Sequence, residues 1–360
     1  MAFDKMKAFF DRWVPEINKE INAVFDEKAA IMDEYGEINR RAILDITKSF
    51  AMNGGKRVRP MLTVLGYKGV KGDVCAAAVQ TGALVEILHT FLLVHDDICD
   101  KDPLRRGAPT VWKSFYDEFE ERKVREPLHH ANSIAMITGD VLHIYAYQLA
   151  MEIDADQQTR NNVLRKILEV AEVTGYGQNL DIYLSILPLE SVSEEDVLKT
   201  YKLKTGIYSV SGPLELGAIL AGAEEQFSDT YQRYGERAGI AFQIHDDIIG
   251  VFGDPKVTGK PVGSDIREGK RTILVVKAYE NASKTQREIL NNVLGNQGVP
   301  QELVEEATDI IKDTGALDYA EELERKLADE AIEIIELSNV ERETKDILVE
   351  FTDFVMKRDK

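Results

Sequence analysis

Apolar side chains recur at three- and four-residue intervals along most of the chain. One such run consists of Ala83, Ile87, Phe91, Val94 and Ile98. This spacing gathers apolar residues on one face of an α-helix, whereas a half-buried strand alternates at every second residue. Residues 272–276 (TILVV) are rich in β-branched side chains, but they lie among helical patterns, so we predict helix there too. The pattern as a whole predicts an all-α protein.

Breaks in the helical pattern fall at residues 53–60, 101–109, 188–193 and 250–269, where glycine, proline and small polar residues concentrate. None of these segments has the length or low complexity of a flexible linker between domains. No proline occurs after residue 300, which favours long helices in the last part of the chain. We therefore predict one large helical bundle that occupies residues 1–360 as a single domain.

The charge balance restricts the possible partners. The chain has 63 acidic and 44 basic residues, which gives a net charge of −19 at pH 7. Such a protein repels nucleic-acid backbones and anionic membrane surfaces, so we expect neither as a general partner. No uncharged apolar run reaches the ~18 residues that a membrane span needs, and the N-terminus lacks a secretory apolar core. With only Cys75 and Cys99, a disulfide framework is excluded, and we expect a cytoplasmic protein.

The first acidic motif is HDDICD at residues 95–100. On a helix, Asp96 and Asp100 lie one turn apart on the same face, with Asp97 beside them. Three carboxylates in so short a stretch repel one another unless a cation is bound between them. Mg²⁺ suits this arrangement because it prefers oxygen ligands and shares them with phosphate groups.

A second acidic motif, FQIHDDIIGVFGD at residues 242–254, strengthens that interpretation. It places Asp246 and Asp247 after an apolar helical stretch, with Gln243 one turn before Asp246. Gly250 stands where a third carboxylate would complete the pattern. Two acidic helix faces in one helical domain predict a shared metal site between facing helices.

Basic residues concentrate in GGKRVRP (54–60), PLRRG (103–107), LKTG (203–206) and TGKPVGSDIREGK (258–270). These segments supply Lys56, Arg57, Arg59, Arg105, Arg106, Lys204, Thr205, Lys260, Asp265 and Lys270. Arginine binds phosphate oxygens through two parallel hydrogen bonds, and lysine adds a mobile point charge. GGKRVRP is not a Walker A loop, because Phe50 stands where the first glycine is required. The set predicts small phosphorylated ligands bound at local positive sites of an acidic protein.

In order along the chain, GGKRVRP, HDDICDKDPLRRG, GQNLD, KTG and FQIHDDIIGVFGD resemble the trans-isoprenyl diphosphate synthase (polyprenyl synthetase) family, especially its archaeal short-chain geranylgeranyl type. The similarity covers residues 41–273. It implies the type I isoprenoid synthase fold, an all-α bundle around a central cavity, usually as a homodimer. It also implies Mg²⁺-dependent head-to-tail condensation of isopentenyl diphosphate with an allylic diphosphate, through ionisation, alkene attack and proton loss.

The resemblance also implies site residues. Isopentenyl diphosphate would be bound by Lys56, Arg59, His89 and Arg106. The allylic diphosphate would be bound by Arg105, Lys204, Thr205, Gln243, Lys260 and Lys270. Three Mg²⁺ ions with substrate bound would be held by Asp96, Asp100 and Asp246. Asp97 and Asp247 would orient water or basic side chains, and GQNLD places Gln178 and Asp181 near the reacting carbons. The implied catalytic set is Asp96, Asp97, Asp100, Arg105, Lys204, Asp246 and Asp247.

In the family that this chain resembles, a bulky residue five positions before the first aspartate forms a floor that stops chain growth. Here that residue is Phe91, and the resemblance therefore favours a twenty-carbon product. On an ideal helix Phe91 points about 140° away from Asp96, whereas Leu92 points only about 40° away, so Leu92 is the alternative. His89 shares the stripe of Asp96, and the other histidines lack zinc spacing and are interpreted as structural.

Two features depart from the family, and several functions stay open. Gly250 replaces an aspartate common in farnesyl synthases, and the charged stretch 114–131 is longer than expected. A solvated helix end with its loop explains that stretch, and a partner-binding insertion is the alternative. The rival functions are a farnesyl, bifunctional or longer-chain synthase and a noncatalytic regulatory subunit. A terpene cyclase is disfavoured because it would not need GGKRVRP.

Overall fold

The computed structural model describes residues 3–253 and 263–357, and within them nearly all regular structure is helical, as the periodicity predicts. The α-helices are α1 (Asp4–Met32), α2 (Glu37–Arg40), α3 (Lys48–Met52), α4 (Val58–Lys71), α5 (Ala76–Cys99), α6 (Val111–Glu121), α7 (Pro127–Glu152), α8 (Gln157–Ile186), α9 (Glu194–Tyr201), α10 (Gly212–Leu220), α11 (Glu225–Phe252), α12 (Ser264–Glu268), α13 (Ile273–Asn281), α14 (Lys284–Val293), α15 (Gln301–Asp313), α16 (Ala316–Glu336) and α17 (Arg342–Val355).

Shorter elements join these helices. Arg41–Thr47 and Lys202–Ser211 are π-helical, and Asp33–Tyr35 and Leu189–Ser191 are 3₁₀ turns. Among the described residues the only strands are β1 (Leu104–Arg105) and β2 (Ala108–Pro109), which pair antiparallel. The stretch predicted as helix at 272–276 is the start of α13, where the Thr272 side chain accepts a hydrogen bond from the backbone N–H of Val275. That prediction is confirmed.

The described residues fall into two compact units. The N-terminal unit consists of Lys7–Ile167 and Pro213–Ala223, and its central helix is α5, which packs along α4 and α7. By length and composition α5 would pass for a membrane span, but 83% of its most apolar window is buried. From the sequence, no segment was expected to be apolar enough to span a membrane. Helix α5 is apolar enough by composition, but it forms part of the core of its unit.

The C-terminal unit is formed by the described residues of Met1–Met6, Leu168–Gly212 and Glu224–Lys360. Its central helix is α11, which packs against α16 and against the π-helix 202–211. A Cβ atom on Gly239 would lie 2.4 Å from Cα of Gly206, so glycine at this crossing lets the two backbones touch. The prediction of a single domain is not tested by this division and stays a prediction.

The charged stretch 114–131 covers the last eight residues of α6, a turn and the start of α7. Within it the Glu118 carboxylate forms ion pairs with Arg41 at 2.6 Å and with Arg122 at 2.8 Å. Lys123 and Glu126 in the turn have positive φ angles of 54° and 53°. This arrangement agrees with the simpler interpretation, a helix end followed by its loop.

Candidate functional site

The first acidic motif lies at the C-terminal end of α5. Asp96 and Asp97 are in its last turn, and Asp100 follows as the C-cap residue. The partial negative charge of a helix C-terminus adds to the repulsion among these carboxylates. Asp97 is fully buried, and burial is the main reason why its pKa rises to about 7. Asp97 therefore needs a nearby cation to stay ionised.

Arg105 supplies one cation. Its Nε donates to Oδ1 of Asp97 at 2.6 Å, its Nη2 lies 2.5 Å from the same oxygen, and Asp96 is 3.7 Å from Nη2. Arg105 reaches this position from β1, because Arg106 and Gly107 at the hairpin turn have positive φ angles of 52° and 76°. The arginine predicted to contact the allylic diphosphate is thus already held at the acidic end of α5.

The acidic end of α5 fits Mg²⁺ as a partner. Oδ2 of Asp97 is buried and has no hydrogen-bond partner among the described residues, while Asp96 and Asp100 are half-buried. Within residues 3–253 and 263–357 no three acidic, histidine or cysteine side chains are placed to hold a metal by themselves. Mg²⁺ usually takes only one or two carboxylates and completes its shell with water and substrate phosphate. The all-oxygen donors here match that mode of binding.

A cationic cluster forms around His89 in the same unit. His89 is buried, and its Nε2 lies 3.3 Å from Nη1 of Arg59. Burial, together with the charges of Arg59 and Arg106, holds the pKa of His89 well below its usual range. His89 is therefore neutral at pH 7, and its ring nitrogen accepts the hydrogen bond from Arg59. Closely spaced guanidinium groups beside a neutral imidazole form a suitable site for a diphosphate.

Gly55 shapes the same cluster. Arg106 donates from Nη1 to the backbone oxygens of Asn53 and Gly54, both at 3.2 Å. Gly55 has a φ angle of 95°, and a Cβ atom there would come within 2.8 Å of the Arg106 guanidinium. The GG pair of the GGKRVRP motif thus lets the backbone approach this arginine closely. Lys56, also predicted to bind isopentenyl diphosphate, follows directly in the chain and is exposed.

Arg57 acts differently from its neighbours in the same motif. It is 4% exposed, and its Nη1 lies 2.5 Å from Oε1 of Glu86, which is also buried. It also donates to the Asn18 side chain and to the Ala51 backbone oxygen, both at 2.9 Å. These contacts direct its guanidinium inward. Arg57 therefore holds the loop in place, a role that the sequence pattern did not reveal.

The second acidic motif belongs to a hydrogen-bond chain in the C-terminal unit. Thr205 donates to Oε1 of Gln243 at 2.6 Å, and Nε2 of Gln243 donates to Oδ1 of Asp247 at 2.9 Å. Asp247 is buried, and burial together with the charge of Asp265 raises its pKa well above the usual range. Thr205 of the KTG motif is thus joined by hydrogen bonds to Gln243 and Asp247 of the second acidic motif, and all three were predicted from the sequence. Asp246, on the same helix, is half-buried.

Sequence reasoning missed Tyr201, which ends this chain of hydrogen bonds. Its hydroxyl donates to Oδ2 of Asp247 and accepts from the backbone N–H of Ile273 at 2.9 Å. Tyr201 is buried, and burial followed by the charge of Asp247 raises its pKa well above 10. The only sequence signal was its position one turn before Lys204, a basic residue already assigned to the site.

The KTG segment lies in the π-helix 202–211. π-Helical turns are rare in proteins overall but occur frequently at functional sites. Lys204 donates from Nζ to Asp181 of the GQNLD motif at 2.6 Å. A Cβ atom on Gly177 would lie 2.5 Å from the Lys204 backbone nitrogen, so glycine allows this approach. Nε2 of Gln178 is buried without a hydrogen-bond partner among the described residues. GQNLD and KTG therefore form one local cluster.

Further contacts surround the second acidic motif. Nδ1 of His245 lies 2.8 Å from Oε1 of the buried Glu324 on α16. A Cβ atom on Gly250 would lie 2.2 Å from the carboxylate of Asp265, so an aspartate at position 250 would displace that group. Lys270 lies 2.7 Å from Glu268 and 3.9 Å from Asp265. Lys260, predicted to bind the allylic diphosphate, lies outside the described residues.

Phe91, the predicted floor of the product cavity, is buried against α7 in the N-terminal unit. Its ring stacks on His143 with centroids 4.2 Å apart and an interplanar angle of 8°. It also meets His95 edge to face at 4.9 Å. Leu92, the alternative, is half-buried. Phe91 is thus immobilised by two aromatic contacts on the side of α5 that meets α7.

Known proteins share both the sequence and this fold. The polyprenyl synthetase family model matches residues 40–311. The geranylgeranyl diphosphate synthase of Saccharolobus solfataricus is 35% identical over 336 residues, which cover 92% of each chain. The geranylfarnesyl diphosphate synthase of Aeropyrum pernix is 36% identical over 310 residues, which cover 85% of this chain and 91% of that one.

Solved structures agree with these sequence relatives. A geranylgeranyl pyrophosphate synthase from Corynebacterium glutamicum, solved in complex with isoprenyl diphosphate and magnesium, matches with a TM-score of 0.90 and 28% identity. The match covers 99% of this chain and 100% of that one. The predicted all-α fold is therefore confirmed. Because the family model spans most of the chain and relatives exceed 30% identity over most of their length, the chain belongs to the polyprenyl synthetase family and is a prenyl diphosphate synthase.

Proposed function

We propose that this prenyl diphosphate synthase elongates allylic diphosphates with isopentenyl diphosphate and makes chiefly geranylgeranyl diphosphate. The observation that carries the proposal is the charge arrangement along α5 and its neighbours. The half-buried Arg59 and the exposed Arg106 lie close to the buried, neutral His89, and a group of carboxylates begins seven residues later on the same helix. In a protein of net charge −19, cations placed together in this way form a local positive site that attracts an anionic ligand.

Isopentenyl diphosphate is assigned to the cluster formed by Lys56, Arg59, His89 and Arg106. The two guanidinium groups bind phosphate oxygens, and neutral His89 keeps Arg59 oriented by accepting its hydrogen bond. Because no carboxylate accepts from Arg106 in the described contacts, its charge is available for an anion. This site holds the substrate whose alkene attacks the allylic carbon.

The allylic diphosphate is assigned to Arg105, Lys204, Thr205, Gln243 and Lys270, with Lys260 added from the family motif. When the allylic carbon–oxygen bond ionises, negative charge grows on the leaving diphosphate, and cations placed beforehand stabilise it. Asp96, Asp100 and Asp246 would hold Mg²⁺, which supplies further neutralisation of that charge when bound. The alkene then forms the new carbon–carbon bond, and loss of a proton gives the elongated allylic product.

Product length provides the first prediction. Replacing Phe91 by alanine is expected to shift the main product from twenty carbons to longer chains, because it removes the stacked ring beside His143. Since Phe→Ala in a core costs about 3–5 kcal/mol, Phe91→Leu serves as a milder variant with a smaller shift. Leu92→Ala is the matched comparison on the same helix. Products separated by chromatography would refute the assignment if Leu92→Ala lengthens the chain and both Phe91 variants leave it unchanged.

The wild-type product tests the proposal itself. Labelled isopentenyl diphosphate and Mg²⁺ are incubated with each allylic primer from five to fifteen carbons, and the products are separated by chain length. We expect all primers to end mainly at twenty carbons. The 36% identical geranylfarnesyl diphosphate synthase makes twenty-five carbons the specific alternative, and fifteen would indicate a farnesyl synthase. Failure of every primer would instead favour a noncatalytic subunit.

We further propose a homodimer, located in the cytoplasm, in which a second copy covers the exposed face of α7. Ile137, Ile144 and Met151 are each more than half exposed and recur every seven residues, so they form one stripe, with Met136 beside it. Such a contiguous apolar surface commonly marks a protein contact. Sedimentation equilibrium should give twice the mass of one chain, and Ile144→Arg should give monomers. A monomeric wild type would contradict the dimer.

A further inference from the structure

We propose that Tyr201 is a positioning residue for the allylic diphosphate, and that its hydroxyl acts through Asp247 and Gln243. The inference rests on the proposed function, because it takes Gln243 and Thr205 as allylic-diphosphate contacts. It concerns only the C-terminal unit, where all four side chains and the backbone of Ile273 lie. The four side chains form one continuous hydrogen-bond chain.

The direction of the hydrogen bonds follows from the donors available. The backbone N–H of Ile273, the first residue of α13, donates to the Tyr201 oxygen at 2.9 Å. At a helix N-terminus this N–H has no partner within the helix, so the tyrosine oxygen satisfies it. The Tyr201 proton is then directed at Oδ2 of Asp247. One hydroxyl thus joins the start of α13 to the second acidic motif.

Asp247 connects Tyr201 to Gln243 and Thr205, the side chains proposed to bind the allylic diphosphate. With Oδ2 held by Tyr201, Oδ1 receives Nε2 of Gln243 at 2.9 Å. An amide has distinct ends, so this contact turns the Gln243 carbonyl towards Thr205, whose hydroxyl donates to it at 2.6 Å. The second N–H of the Gln243 side-chain amide is therefore held in a fixed orientation. Without Tyr201, the Asp247 carboxyl can rotate and the Gln243 amide loses its fixed orientation.

Tyr201→Phe removes only the hydroxyl and tests the proposal. We expect the KM for a ten-carbon allylic diphosphate to rise about tenfold, while the KM for isopentenyl diphosphate stays within twofold. Calorimetric titration of the protein with the same allylic diphosphate and Mg²⁺ should show a matching loss of affinity. A tenfold change lies at the low end of the range for hydrogen bonds to charged groups.

Tyr234→Phe is the matched control. Tyr234 lies on α11 in the same unit, is buried, and donates to the Leu348 backbone oxygen at 3.0 Å. It should lower the melting temperature without changing either KM. A merely structural role for Tyr201 predicts that both variants behave alike, and that outcome would overturn the proposal, as would an equal change in both KM values for Tyr201→Phe.

Asp247→Asn tests the proposed role of Tyr201 independently. It should reproduce the selective loss of allylic-diphosphate affinity, and in that background Tyr201→Phe should have no additional effect. If Tyr201→Phe fails to fold, Asp247→Asn alone decides, and unchanged affinity would refute the inference. Calorimetry also distinguishes a failure of the proposed function from a failure of the role assigned to Tyr201. A wild type that binds allylic diphosphate without elongating it contradicts the proposed function, whereas unchanged affinity in the variants contradicts the role of Tyr201.

Discussion

Replacing Asp96 by asparagine is expected to lower the turnover number about 10²–10³-fold, which corresponds to about 3–4 kcal/mol of transition-state stabilisation. Asparagine keeps the size of the side chain but removes the charge that would hold Mg²⁺. The folded protein should be at least as stable as the wild type. The change relieves repulsion with Asp97 and Asp100 at the C-terminal end of α5.

Asp96→Asn should therefore lose rate without losing stability. Steady-state incorporation of labelled isopentenyl diphosphate gives the rate, and thermal denaturation gives the stability. Asp117→Asn is the control, because it makes the same change on α6, where the Asp117 side chain is 51% exposed beside Lys113. It should leave the rate unchanged. An Asp96→Asn enzyme with a rate near that of the wild type, or one that loses stability together with rate, would refute the assigned role.

The second large effect concerns folding. Replacing Arg57 by methionine should reduce the free energy of unfolding by about 3–5 kcal/mol, because it leaves the Glu86 carboxylate buried without its counter-charge. That is a large share of the stability of an ordinary domain. Adding Glu86→Leu should restore most of the loss, since apolar replacement of both members of a buried ion pair is often neutral. Chemical denaturation of the wild type and these two variants measures the changes.

Arg106→Met is the comparison that separates folding from binding in this region. Arg106 bonds only to backbone oxygens in the described contacts, so its loss should change stability little. It should instead raise the KM for isopentenyl diphosphate, roughly 10- to 100-fold, as expected for lost charge-assisted hydrogen bonds. If Arg57→Met unfolds no more readily than the wild type, or if Arg106→Met is equally destabilised, the division of roles between these arginines is wrong.

The local pattern of apolar and charged residues was sufficient to predict the helices and to place the main motifs on them. The three- and four-residue spacing that predicts α5 also places Asp96 and Asp100 one turn apart, and charge patterning located the basic segments around GGKRVRP and PLRRG. The β1–β2 hairpin was not predicted, because strands of two residues are too short to show alternation. Its turn depends on positive φ angles at Arg106 and Gly107, which the RRG motif alone does not reveal.

Partners distant in sequence could not be predicted. Glu86 is 29 residues from Arg57, Asp247 is 46 residues from Tyr201, and Glu324 is 79 residues from His245. Each pair forms only because helices from separate parts of the chain pack together, and periodicity carries no information about which helices meet. For the same reason, the sequence could not show that Arg57 points inward while Arg59 contacts His89.

We propose that the carboxylate motifs serve Mg²⁺-dependent transfer of a prenyl group to isopentenyl diphosphate. The most direct test measures incorporation of labelled isopentenyl diphosphate into extractable product by the wild-type enzyme with a ten-carbon primer. One reaction contains Mg²⁺, a second contains excess EDTA, and a third receives EDTA followed by excess Mg²⁺. We predict incorporation in the first and third reactions and none in the second. Incorporation that persists in EDTA, or that is absent from all three, would contradict the account.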